Sequence, residues 1–223
     1  MLPSVAVNDS LSIPEAPATA ASAGAHPRLV AIAGASGSGK TFLATHIAEA
    51  LGAPVLSLDA YYLDLGHLTM EERAQWNFDH PDALDWPLLR AQLTALVAGA
   101  AVDVPTYDFS THTRAAQTRH LAPSEYLVIE GIFALHDAAV RALLSLGIFV
   151  NYRDSGCLDR RMARDVAERG RTPSCVLAQY TKTVRPMFLE FIEPTRAFAD
   201  LVIRGDSPVE ESLRTVQAVL SAR

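Results

Sequence analysis

One eight-residue stretch restricts the fold of this 223-residue chain more than any other feature. Residues 34–41 read GASGSGKT and fit the pattern G-x-x-x-x-G-K-S/T. An apolar run at 29–33 precedes them, and residues 41–51 follow with the apolar spacing of a helix. In such a strand–loop–helix unit, glycines let backbone N–H groups turn toward phosphate oxygens at the positive end of the helix. The stretch therefore predicts a nucleoside triphosphate site.

All eight residues of this phosphate loop are predicted to contact the nucleotide: Gly34, Ala35, Ser36, Gly37, Ser38, Gly39, Lys40 and Thr41. Lys40 is one of only two lysines in the chain, and its compact charge suits the β and γ phosphates. Thr41 is predicted to place its hydroxyl on Mg²⁺. The expected cofactors are accordingly ATP and Mg²⁺.

Further apolar runs extend the predicted fold. Short runs at 55–58, 126–129, 148–150 and 201–203 are typical of strands buried on both faces of a parallel sheet. Helices are predicted at 87–97, 137–146, 155–168, 173–191 and after Ser207, where Ser207 and Glu210 match a capping box. Residues 64–85 and 102–122 are predicted to be long functional loops. We expect a three-layer α/β/α sandwich with a five-stranded parallel sheet, the fold of P-loop-containing nucleoside triphosphate hydrolases.

Composition limits the number of domains and the class of partner. With 49% hydrophobic residues, the chain can build one core, which we expect at 28–223 after a disordered Ala/Pro-rich tail at 1–27. The net charge of −6 gives no reason to expect a nucleic acid or membrane partner. No apolar run approaches the roughly 20 residues of a membrane span. Two cysteines without metal-ligand spacing favour a soluble cytoplasmic protein.

Two of the predicted strands end in carboxylates. Asp59 follows the second strand and Glu130 follows the third. Since ligands bind beyond the carboxyl ends of parallel strands, these side chains are expected beside the phosphate loop. We predict Asp59 as the general base for an acceptor alcohol, and Thr41, Asp59 and Glu130 as the Mg²⁺ site, with Glu130 acting through bound waters. The residues thus predict phosphoryl transfer to a small hydroxyl-bearing molecule.

Several blocks beyond the phosphate loop resemble the uridine kinase (uridine-cytidine kinase) family of P-loop nucleoside kinases. They are SLDAYY from Ser57, NFDHPDALDW from Asn77, VPTYDFSTHTR from Val104, EGIFAL from Glu130, and RRMARDVAERGR from Arg160 through to Tyr180. The match runs from about residue 30 to 205. Phosphoribulokinases and pantothenate kinases share the loop but not this set, so the resemblance is specific.

The resemblance implies ATP-dependent phosphorylation of the 5′-hydroxyl of uridine or cytidine, with Asp59 activating that hydroxyl. The implied nucleoside ligands are Tyr62, Phe78, Asp79, Tyr107, Phe109 and His112. Of these, Asp79 is expected at the ribose hydroxyls, and His112 at the exocyclic group at position 4 of the pyrimidine. Relatives are commonly tetrameric, which implies a homo-oligomer.

The resemblance also implies a helical lid at about 155–180. Within it, Arg161, Arg171 and Gln179 are expected to contact the acceptor. Arg164 and Arg169 are expected to contact the triphosphate, and Arg164 joins Lys40 and Asp59 as a catalytic residue. From the pattern alone, these arginines fit equally well a solvated helix face that is balanced by Asp159, Asp165 and Glu168.

Two other functions remain open at this point. A kinase of another small alcohol, such as a sugar phosphate or a vitamin precursor, could use the same scaffold but would leave His112, Tyr107 and Phe109 without a role. A nucleotide-dependent switch is less favoured, because a GTPase needs N-K-x-D and neither lysine follows an asparagine.

Overall fold

The computed structural model describes residues 27–223, so the predicted tail lies outside the described residues except for Pro27. The strands are β1 (Arg28–Gly34), β2 (Val55–Ser57), β3 (Val102–Asp108), β4 (Thr113–Leu121), β5 (Tyr126–Glu130), β6 (Leu144–Asn151) and β7 (Leu201–Arg204). The α-helices are α1 (Lys40–Leu51), α2 (Met70–Gln75), α3 (Trp86–Val97), α4 (Ala138–Arg141), α5 (Asp154–Arg169), α6 (Pro173–Gln179), α7 (Arg185–Met187) and α8 (Val209–Ser221).

Five strands form a parallel sheet in the order β2-β5-β1-β6-β7, which confirms the predicted sheet. Strand β1 lies at its centre, and its alternate side chains enter two different cores because successive residues of a strand point to opposite faces. Leu29 and Ala31 pack in the core covered by α3. Val30 and Ile32 pack in the core covered by α1 and α8. The fold is therefore the predicted three-layer α/β/α sandwich.

The boundary between α4 and β6 corrects the predicted helix at 137–146. Asp137 caps α4 by accepting from the Val140 N–H, but the helix ends at Arg141 and β6 begins at Leu144. Leu144 pairs with Leu29 of β1, so the strand starts where the central strand offers a partner. Strand pairing within the sheet overrides the local helical spacing.

Residues 102–122 are also not the loop that was predicted. They form an antiparallel hairpin of β3 and β4, which is separate from the main sheet. Val104 and Tyr107 of β3 are buried against the first core, whereas most of β4 is exposed. Because β4 is polar and faces solvent, the sequence does not show the apolar–polar alternation that would have indicated a hairpin.

Two helix predictions need smaller corrections. The predicted helix at 173–191 is interrupted by π-helical turns at Tyr180–Val184 and Phe188–Ile192. The capping box at Ser207 and Glu210 is wrong, because α8 begins at Val209 after Pro208, and no side chain caps it. Within the part of the chain that the structure describes, no helix has the length and apolar character needed to cross a membrane.

Candidate active site

The phosphate loop joins β1 to α1, and its path requires glycine. Gly37 and Gly39 have φ angles of 83° and 99°, which other residues rarely adopt. A Cβ atom on Gly37 would lie 2.3 Å from the carbonyl oxygen of Cys157 at the start of α5. Lys40 is the first residue of α1 and is buried at its N-terminal end. The loop thus places a cation and free backbone N–H groups where an anion can bind.

Glu130 lies at the end of β5, and its side chain forms hydrogen bonds to both the phosphate loop and the end of β2. Its Oε2 accepts a hydrogen bond from Thr41 Oγ1 at 3.0 Å, and its Oε1 accepts one from Ser57 Oγ at 2.7 Å. Ser57 was not predicted as a site residue, although its position at the end of β2 was a usable signal. A hydroxyl and carboxylate oxygens are hard ligands that fit Mg²⁺. Among residues 27–223, no group of three or more His, Cys, Asp or Glu side chains could hold a metal by itself, so phosphate oxygens and waters would complete this site.

Asp59 follows β2, and its backbone N–H donates to Ser57 Oγ. Burial raises the pKa of Asp59 and the charge of Glu130 raises it further, while Lys40, Arg169 and Arg164 oppose the shift. The net pKa is raised above the usual value of an aspartate. A carboxylate with a raised pKa is a stronger base, which suits the predicted role of Asp59.

The hairpin brings the predicted nucleoside ligands together in one aromatic cluster. The Tyr62 ring lies 5.3 Å from that of Phe78 and 5.4 Å from that of Tyr107, measured between centroids. His112 stacks on Phe78 at 4.9 Å, and Phe109 meets Tyr107 edge-on at 5.3 Å. The hydroxyl of Tyr107 is buried and has no hydrogen-bond partner among the described residues. Such an orphaned group is available to a polar ligand.

Asp79 lies below this cluster and is only 8% exposed. One of its oxygens accepts a hydrogen bond from Thr183 Oγ1 at 3.2 Å. Burial raises the pKa of Asp79, and Arg161, Thr183 and Arg171 partly offset the rise. Thr183 was not identified from the sequence, because only the π-helical turn after α6 brings it to Asp79. Asp79 and Ser36 of the phosphate loop line one pocket, which links the two binding regions.

The predicted lid ligands converge between the loop and Asp79. Arg161 Nη1 donates to Ser36 Oγ at 3.0 Å, and Arg164 Nη2 lies 3.5 Å from the same atom. Arg161 and Arg171 both donate to Oε1 of Gln179, at 3.0 and 2.8 Å. The guanidinium of Arg169 lies over the Phe109 ring at 5.3 Å.

For Arg161 and Asp165 a solvated helix face is wrong, whereas the other three arginines keep 27 to 32% of their side chains exposed. The Arg161 side chain is 6% exposed, and Asp165, which the pattern placed among the surface counter-charges, is fully buried beside it. The i,i+4 spacing of Arg161, Asp165 and Arg169 was a signal that these three share one face. That face turns toward the phosphate loop.

The parallel sandwich, the phosphate loop and the arginines beside it define a P-loop kinase, an enzyme that transfers a phosphoryl group from a nucleoside triphosphate. The chain belongs to the phosphoribulokinase/uridine kinase family, whose model matches residues 29–210. It is 50% identical to the uridine kinase of Tolumonas auensis over 182 residues, which cover 78% of this chain and 85% of that protein. It is 45% identical to the uridine kinase of Chloroflexus aurantiacus over 183 residues, which cover 81% and 88%.

Solved structures agree on the fold. The phosphoribulokinase of Rhodobacter spheroides superposes with a TM-score of 0.58 at 15% identity, over 82% of this chain and 74% of that one. At this identity the likeness concerns the fold alone.

Proposed function

We propose that this chain is a uridine/cytidine kinase, which transfers the γ-phosphoryl group of ATP to the 5′-hydroxyl of uridine or cytidine and yields UMP or CMP. The observation that carries the proposal is the aromatic cluster together with Asp79, which lines one pocket with Ser36 of the phosphate loop. Uridine kinases that are 45–50% identical over about four-fifths of the chain support it. A kinase of another small alcohol is not favoured, since it would leave this cluster without a ligand.

The triphosphate is held by the phosphate loop, residues 34–41, together with Arg164 and Arg169. Backbone N–H groups and Lys40 bind the phosphate oxygens. Thr41, Glu130 and Asp59 would hold Mg²⁺, which neutralises charge on the β and γ phosphates when bound. The hydrogen bond between the hydroxyl of Thr41 and the carboxylate of Glu130 supports this site, because it holds two oxygen ligands next to each other.

The nucleoside is held by Asp79 and the aromatic cluster. Asp79 accepts hydrogen bonds from the two ribose hydroxyls, and Tyr62, Phe78, Tyr107 and Phe109 pack around the base. Burial lowers the pKa of His112, and Arg171 and Arg73 lower it further, so the imidazole is neutral near pH 7. A neutral imidazole can donate to the carbonyl of uracil or accept from the amino group of cytosine.

Phosphoryl transfer follows from this placement. Asp59 takes the proton of the 5′-hydroxyl as that oxygen attacks the γ-phosphorus, and the bond from the γ-phosphorus to ADP breaks. Arg161, Arg171 and Gln179 close over the acceptor from the lid at about 155–180. The arginines stabilise negative charge on the transferring group and exclude water.

The test is an acceptor panel with Mg·ATP, in which ADP release is coupled to NADH oxidation. Uridine and cytidine are expected to be phosphorylated, whereas adenosine, thymidine, a pentose phosphate and pantothenate are expected to give background rates. Turnover of a non-nucleoside alcohol without turnover of uridine or cytidine would contradict the proposal.

The assembly and the compartment complete the proposal. We propose a cytoplasmic homotetramer, without nucleic acid or membrane partners. Both cysteines, Cys157 and Cys175, are free thiols, as a reducing compartment would leave them. Light scattering on the purified protein measures the oligomeric state.

A further inference from the structure

The lid contains a carboxylate to which the proposed function assigns no role. The side chain of Asp165 is 0% exposed, yet four arginine side chains lie between 2.8 and 3.7 Å from its oxygens. They are Arg161, Arg164, Arg169 and Arg171. Burial on its own raises the pKa of Asp165, but Arg164, Arg161 and Arg169 outweigh burial, so the pKa is lowered and the group is ionised.

The two oxygens of Asp165 divide the arginines into two pairs. Oδ1 accepts from Arg164 Nε and Nη2 at 2.9 and 2.8 Å, and lies 3.7 Å from Arg169 Nη1. Oδ2 accepts from Arg171 Nη1 at 2.9 Å, and lies 3.6 Å from Arg161 Nε. The Oδ1 pair is the triphosphate pair of the proposed function. The Oδ2 pair is the acceptor pair, which also shares Gln179.

This division exceeds what burial of a carboxylate requires. A buried carboxylate needs a cationic partner, and the two hydrogen bonds from Arg164 already provide one. The other oxygen of the same rigid, planar group accepts a hydrogen bond from Arg171 and has the charged side chain of Arg161 3.6 Å away. If either pair of arginines moves, the carboxylate rotates. The oxygen that faces the other pair then moves as well.

We propose that Asp165 is a positioning residue that couples the two substrate sites, an inference that rests on the proposed function. When the triphosphate draws Arg164 and Arg169 toward the phosphate loop, the shared carboxylate sets Arg161 and Arg171 in position for the nucleoside. Because thermodynamic coupling is reciprocal, bound nucleoside prepares the triphosphate pair by the same factor. ATP and nucleoside thus bind more tightly together than apart.

The test measures this coupling factor directly in the full-length enzyme. Calorimetry gives the Kd of the non-hydrolysable β,γ-imido analogue of ATP, with Mg²⁺, in the absence and presence of saturating uridine. In the wild type we expect uridine to lower that Kd by about 5- to 100-fold, the range usual for coupled sites. In Asp165→Asn the factor is expected to fall to about 1, since the amide loses the charge that binds both pairs.

The matched control is Asp159→Asn, which removes an exposed carboxylate from the same helix. It is expected to keep the wild-type factor. Should Asp165→Asn not fold, Asp165→Glu keeps the charge but displaces both oxygens, and it is expected to reduce the factor in the same way.

Three results would overturn the proposal: no coupling in the wild type, an unreduced factor in a folded Asp165 variant, or equal weakening of both ligands with the factor retained. Uridine phosphorylation by the wild type is measured in parallel. Turnover with an unreduced factor overturns the coupling alone, whereas absence of turnover overturns the proposed function and the coupling with it.

Discussion

Asp59 is the residue proposed to act as the base. It lies two residues after the end of β2, and the charges that act on its carboxyl group come from Glu130, Lys40, Arg169 and Arg164. These groups belong to a strand end, the phosphate loop and the lid. The pKa of Asp59 thus depends on charges from all three parts of the site.

Replacing Asp59 by Asn tests its role as the base. We expect kcat for uridine to fall by at least about 10²-fold, because the amide cannot accept the proton. The Kd of the ATP analogue should change little, since Lys40, the loop N–H groups and the other two proposed Mg²⁺ ligands, Thr41 and Glu130, remain. Steady-state kinetics and calorimetry measure the two quantities, and an unchanged kcat would remove Asp59 as base.

Asp79 and Thr183 are a second pair of residues with a pH-dependent consequence. The hydrogen bond from Thr183 lowers the pKa of Asp79, which burial has already raised. Thr183→Val keeps the shape of the side chain but loses this donor, so the pKa of Asp79 should rise further.

We therefore expect the KM for uridine in Thr183→Val to increase several-fold, and to increase more as the pH is lowered, because less of Asp79 is then ionised to bind ribose. KM measured between about pH 5.5 and 8 in both proteins checks this. Thr181→Val, an exposed threonine of the same π-helical turn, is the control. A pH-independent change in KM would contradict the expectation.

At the scale of elements, an arginine that the sequence did not single out connects the hairpin tip to α2. Arg73 of α2 donates to the carbonyl oxygens of Gly66, Leu68 and Thr111, each at 2.9 Å. Thr111 directly precedes His112, whose φ of 55° is the one positive value at a non-glycine residue in the described chain. Helix α2 thus holds the backbone next to His112, the residue proposed to contact the base.

Arg73→Lys is expected to loosen this tip, because an ammonium group cannot reproduce the three-way donation of a guanidinium. Loss of one or two hydrogen bonds should raise the KM for uridine by about tenfold, with the KM for ATP nearly unchanged. The matched control is Arg90→Lys on α3, which alters an ion pair between Arg90 and Asp137, the N-cap of α4. Parallel increases in both KM values would argue against a local role.

At the scale of the whole molecule, the charge of Asp59 lowers the stability of the folded state. The folded state raises the pKa of Asp59, so folding favours its protonated form. Above the pKa that Asp59 has in the folded protein, its charge lowers the free energy of unfolding. This penalty disappears as the pH falls toward the pKa of Asp59 in the unfolded chain. The charge of Asp59 thus destabilises a fold that its sheet and two hydrophobic cores otherwise stabilise.

Asp59→Asn should consequently raise Tm at pH 8 while it abolishes turnover, because Asn is neutral at every pH. The gain should shrink as the pH is lowered through the folded pKa, where the wild-type carboxyl group is neutral as well. Thermal unfolding followed by circular dichroism measures the difference. Asp159→Asn serves as the exposed control, and a Tm gain that is independent of pH would show that another effect dominates.

The sequence by itself determined the phosphate loop and the five strands of the parallel sheet. These features depend on local rules: the glycine conformations of the loop, the apolar runs of buried strands, and the helix that must follow. Most of the proposed site residues came from short, contiguous blocks of sequence that resemble uridine kinases.

Only the tertiary structure decided which side chains meet across long separations. Thr183 reaches Asp79 over 104 positions, and Arg73 reaches Thr111 over 38. The start of β6 at Leu144 depends on β1, and the role of Asp165 depends on burial among arginines that a helical pattern also places at a surface. The local sequence pattern specifies the backbone conformation and the apolar face of each element. The burial of a side chain and the pairing of strands arise only when separate elements pack together.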